Sequence, residues 1–122
     1  MNRPSHREII RKLGQAKEAV RSNAVDILNP VSSAADALEL GIDIEDLQGI
    51  LSDLLDEIRP GDYAGQSPPQ RSYEREIYAC ELFPFRWMSK RLGCLVYMKF
   101  ALKDNRMWLV SLHEDRKDTG GK

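Results

Sequence analysis

The chain has 122 residues, 42% hydrophobic and 30% charged, with a net charge of −1. That suits one domain with its own core and argues against a disordered or fibrous protein. No apolar run approaches a membrane span, so no membrane partner is expected.

The start, Met1-Asn-Arg-Pro-Ser-His-Arg-Glu, lacks the apolar stretch of a signal peptide, which points to a cytoplasmic protein with Cys80 and Cys94 reduced. The two cysteines and two histidines have no ligand spacing, so neither a metal nor another cofactor is expected.

In chain order, Ile9, Ile10, Leu13, Ala16 and Val20 recur at helical spacing, and Ser5 with Glu8 three residues on makes a capping box. This predicts a helix over 5–21. After the break at Asn29-Pro30, Ser32 or Ser33 caps a short helix to Leu40, which Gly41 stops. Asp43 caps a third helix, whose stripe of Ile44, Leu47, Ile50, Leu51, Leu54, Leu55 and Ile58 should lie on a sheet. Pro60-Gly61 ends it, and 60–72 reads as a loop.

Alternation then predicts strands at 73–85, about 93–103 and 107–113, with a basic connection at 86–92. Helices first and strands last give an α+β fold, with N-terminal helices packed on a small C-terminal antiparallel sheet. It is read as one domain over 1–122: helical part about 5–59, sheet part about 73–115, frayed tail 116–122.

Charge is uneven along the chain. Residues 1–70 hold 7 Lys/Arg and 12 Asp/Glu, net −5, and residues 71–122 hold 11 and 7, net +4. The segment 84–106 carries Arg86, Lys90, Arg91, Lys99, Lys103 and Arg106 against Asp104 only. A local basic face of this kind attracts polyanions even on an acidic protein.

The last two strands also carry Tyr97, Lys99 and His113, none of them needed for packing. Together they could polarise, bind and protonate a phosphodiester. A histidine titrating near neutrality can take up or deliver a proton there. A fixed cation can stabilise the phosphorane, and a tyrosine can hold phosphate or stack on a base. Trp87 and Tyr63 are further stacking candidates, or else anchors of core and loop.

Strand geometry makes a demand on this reading. Tyr97 and Lys99 share one face, as do Ser111 and His113. A two-residue turn at Asp104-Asn105 pairs Lys103 with Arg106 and leaves His113 on the face opposite Tyr97. A three-residue loop or a bulge sets Tyr97 beside His113 and Lys99 beside Ser111.

Ala37-Leu-Glu-Leu-Gly-Ile-Asp leading into a helix, Glu76-Ile-Tyr, and Val96-Tyr-Met-Lys-Phe before Val110-Ser-Leu-His occur in one order over about 33–115. This combination resembles the MqsR-type mRNA interferase toxins of the RelE superfamily. The resemblance implies a compact α+β endoribonuclease, a hydrolase of single-stranded messenger RNA, free or on the ribosome. It also implies a cognate antitoxin protein as partner.

The family's strand tyrosine, the lysine two residues after it and the basic residue ending the last strand match Tyr97, Lys99 and His113. Its loop tyrosine matches Tyr63. The chain departs from the pattern at Ala64, where a lysine can follow that tyrosine, and at Arg75, which matches a glutamine at the strand entrance. The expected catalytic set is therefore His113, Lys99, Tyr97 and Arg75, with Tyr63, Arg86, Trp87, Lys90 and Arg91 on the RNA. The competing expectations are a non-catalytic RNA- or protein-binding module using the same sheet face, and an interaction domain using the acidic helix 43–58.

Overall fold

The computed structural model describes residues 4–66 and 69–115. Three helices, α1 (His6–Arg21), α2 (Pro30–Glu39) and α3 (Leu47–Glu57), cover one face of a four-stranded sheet. The strands are β1 (Val25–Ile27), β2 (Phe83–Ser89), β3 (Cys94–Lys103) and β4 (Arg106–Glu114), in spatial order β1-β4-β3-β2. The three C-terminal strands pair antiparallel, and β1 joins β4 in parallel. The expected tail at 116–122 lies outside the described residues.

The expected α+β order is present. Ser5 caps α1 by accepting from the Glu8 N–H at 3.1 Å, and Gly41 takes φ +79° behind α2, a conformation that costs glycine nothing. α2 starts earlier than expected, at Pro30, because proline suits the first helical turn. A 3₁₀ turn at Ile44–Asp46 precedes α3, so Asp43 is not its cap. Leu47, Leu51, Leu54 and Leu55 are buried, whereas the side chain of Ile44 is outside the description. α3 packs chiefly on α1 and meets the sheet at the β2 edge, where Trp87 Nε1 donates to Glu57 Oε1 at 2.8 Å.

Two strand expectations are corrected. Residues 73–82 do not form a strand. A 3₁₀ turn at Arg75–Ile77 and a positive φ at Ala79 fold that segment back, with the Ala79 N–H donating to Ser72 O. Instead β2 occupies 83–89, including most of the expected basic connection. β1 was also not expected, since three residues are too few for alternation to register.

The sheet has two unlike faces. Toward the helices point Phe83, Phe85, Trp87, Val96, Met98, Phe100, Met107, Leu109 and Leu112, all buried in the main core. On the other face, Ile77, Leu82 and Ala101 form a small second core with Leu28, Cys80, Trp108 and Val110. The folded-back 72–82 segment thus covers the hairpin end of that face. Tyr97, Lys99, Ser111 and His113 occupy the other end.

Candidate active site on the uncovered sheet face

The β3–β4 turn is the two-residue form. Lys103 pairs with Arg106, and Asp104 and Asn105 both have positive φ, 56° and 62°, as a type I′ turn requires. That register alone would place His113 in the core. It does not persist, because Phe100 pairs with Leu109 while Lys99 pairs with Ser111. Val110 is therefore an extra residue, a β-bulge that reverses the facing of everything after it. Met107 and Leu109 are buried before the bulge and Leu112 after it.

The bulge builds two cross-strand rows. Arg86, Tyr97 and His113 lie abreast on β2, β3 and β4, and Pro84, Lys99 and Ser111 lie in the next row. The Tyr97 and His113 rings stack with centroids 5.3 Å apart and planes at 28°. The Arg86 guanidinium sits over the Tyr97 ring at 5.6 Å, within range of the attraction between a cation and an aromatic face. Arg86 also forms an ion pair with Asp115, two residues beyond His113.

His113 Nδ1 lies 3.0 Å from the Glu114 carbonyl oxygen. A carbonyl only accepts, so this contact requires the proton on Nδ1. In the neutral ring, Nε2 then carries the lone pair. Burial pushes the Tyr97 phenol above its ordinary range, with Asp115 adding to the effect and Arg86 opposing it. Near neutral pH Tyr97 is a hydroxyl donor and not a base.

Most of the basic segment is answered within the fold. Arg91 pairs with Asp53 and Arg106 with Asp26, and Lys103 Nζ donates to Glu76 O at 2.8 Å. Lys99, only half-exposed, has no side-chain hydrogen bond or ion pair among the described residues.

No protein-family model matches the chain, and no curated protein matches it in sequence.

Of the residues singled out from the sequence, the structure gathers Tyr97, Lys99, His113 and Arg86. Tyr63 and Trp87 belong elsewhere. Tyr63 is 5% exposed and packs edge-on against Phe85, and Trp87 is 5% exposed on the helix-facing side. Neither ring offers a face on which a base could stack.

Arg75 is exposed on the 3₁₀ turn, whose Glu76 carbonyl is tied to Lys103. Lys103 is six residues along β3 from Tyr97, roughly 20 Å at ~3.3 Å per residue. An arginine there does not converge with the row. Lys90 and Arg91 stand at the β2–β3 turn beside α3, where the Arg91 N–H donates to Glu57 Oε2 at 2.7 Å.

Asp115 was missed from the sequence, although its position two residues after His113 puts it on the same face by strand alternation. Gln66, Gln70 and Pro84, which line a small cleft beside Tyr97, carried no sequence signal. Only the fold brings them there.

Proposed function

We propose that this protein is a metal-independent endoribonuclease that cuts messenger RNA in the cytoplasm, a toxin of the MqsR type held in check by an antitoxin protein. The observation that carries the reading is the stacked Tyr97–His113 pair beside Lys99, which has no ion pair among the described residues, on the sheet face away from the helices. A packed sheet requires none of these groups, and their chemistry is complementary.

In this reading the 2′-OH of a bound ribonucleotide attacks its own 3′-phosphate. His113 Nε2 takes the 2′-OH proton, and the Glu114 carbonyl holds the ring by its Nδ1–H. Lys99 supplies positive charge to the phosphorane. Tyr97, protonated, donates to a phosphate oxygen or stacks on a base. The P–O5′ bond breaks, the leaving 5′-oxygen takes a proton from water and His113 gives its own back to solvent, leaving a 2′,3′-cyclic phosphate and a 5′-hydroxyl end.

The Arg86–Tyr97–His113 stack is also a flat cationic–aromatic surface, the kind of platform on which single-stranded RNA binds without chemistry. Purified protein incubated with single-stranded RNA separates the two readings. Fragments ending in 2′,3′-cyclic phosphate in the presence of chelator, lost with His113→Ala, support the enzyme. RNA bound but intact identifies the platform.

A further inference from the structure

A cleft of about 60 Å³ opens beside Tyr97, lined by Ala64, Gly65, Gln66, Gln70, Leu82, Pro84 and the tyrosine itself. Ala64, Gly65, Gln66 and Gln70 come from the stretch after α3, and two of them are tied to β2 and to the residue just before it. The Ala64 N–H donates to Pro84 O at 2.9 Å, and the Leu82 N–H donates to Gln70 O at 2.9 Å. Tyr63 and Phe85 also form a bridge. Gly65 lies so close over the Tyr63 ring that a Cβ there would overlap the tyrosine oxygen. Ala64 and Gln70 are therefore held by hydrogen bonds and Gly65 by packing.

We infer that this cleft is a base-reading subsite, which receives the edge of a nucleobase next to the scissile phosphate and recognises it through the Gln66 and Gln70 side-chain amides. The inference rests on the RNA-directed reading of the Tyr97 face. The cleft is smaller than a whole base, so it admits an edge with its exocyclic group and leaves the ring on Tyr97. Leu82 and Pro84 contribute its apolar lining. Each glutamine offers an N–H₂ donor and a carbonyl acceptor, the pair that matches the mixed donor–acceptor edges of unstacked bases. Tyr97 has the cleft on one side and His113 on the other. A base in the cleft thus leaves its backbone directed across the row that carries the chemistry.

The test uses the full chain and an RNA pool randomised around one cleavable window, read by sequencing the cut ends in single turnover. Gln66→Leu/Gln70→Leu should flatten base preference at one position by about tenfold, within the 1–3 kcal/mol that a good bidentate base contact supplies. Gln70→Glu keeps the shape and replaces a donor with an acceptor, so it should shift the preferred base and not merely slow cutting. The hydrogen bonds to Leu82 and Pro84 use the Gln70 and Ala64 backbone, so these variants retain them, and circular dichroism checks the fold. Cutting with unchanged base preference in both variants overturns the subsite while leaving the nuclease standing. If the wild-type chain cuts nothing, the nuclease reading fails by itself. The same pool is then scored for binding, where a preference altered by the glutamine changes upholds the subsite and an unaltered one overturns it.

Discussion

Tyr97 and His113 stack across β3 and β4 with Val110 inserted between the residues that pair with Phe100 and Lys99. The type I′ turn at Asp104-Asn105 sets one register, and the bulge replaces it with another before the site is reached. Bulges also increase local twist and re-aim side chains. Here the re-aimed residues are Ser111 and His113.

Removing Val110 should close the bulge and leave the facing of β4 unchanged, because Ser111 already pairs with Lys99 and His113 with Tyr97. Leu112 stays in the core, and the cost should be limited to the packing of the partly buried Val110 side chain, about 1–2 kcal/mol. Urea denaturation of the deletion variant measures it. A loss well above about 3 kcal/mol would mean that the pairing beyond the bulge does not survive its removal.

His113→Ala should lower the single-turnover cleavage rate by ~10²–10⁴-fold, the usual contribution of a general acid or base. RNA affinity should change far less. In cells, induction of the intact chain should arrest growth and induction of the variant should not, at equal soluble protein. A variant that cuts at the wild-type rate removes His113 from the chemistry.

Lys99→Ala should weaken both binding and cutting, because its charge serves the ground state as well as the phosphorane. The slope of log affinity against log salt should fall by about one, as for the loss of one phosphate contact. Lys103→Ala is the comparison. Its ammonium already caps Glu76 O, so the salt slope should hardly move.

Glu57 ties α3 to the β2–β3 turn. Burial raises its pKa, but hydrogen bonds from Trp87, Ser89 and the backbone N–H groups of Arg91 and Lys90 outweigh this and hold it below the usual range. A depressed folded-state pKa adds stability that is present above the unfolded value of about 4.3 and is lost as pH falls through the folded one. Glu57→Gln should therefore be less stable than wild type at pH 7, with the gap closing in acid. Urea melts at pH 7 and pH 3 test the sign.

Glu81 should behave in the opposite way. Burial and nearby Glu8 raise its pKa despite Arg71 and Lys12, and its Oε2 is buried with no hydrogen-bond partner among the described residues. The folded state then favours the protonated acid, so the charged form weakens the fold above the folded pKa and relief comes as pH falls through it. Glu81→Gln should match or exceed wild-type stability at pH 7 and lose that advantage in acid. Thermal melts across the range decide it.

The α1 cap, the Gly41 stop and the apolar stripe of α3 were legible in the sequence because each depends on residues within a few positions of one another. The same holds for the alternation of β3 and β4, which by itself puts Tyr97 with Lys99 and Ser111 with His113. Local alternation cannot say how two strands align, so the joining of those two pairs was left to the bulge. Nor could it place Tyr63 and Trp87, whose rings suit a core and an RNA surface equally well. Their burial followed from packing against Phe85 and α3. The segment 73–82 has the composition of a strand, and its second hydrophobic set was better used covering Trp108 and Val110 from outside. The positive charge of 84–106 was plain in the sequence, but which charges stayed uncompensated was decided by partners from 26 to 115, brought close only by the fold.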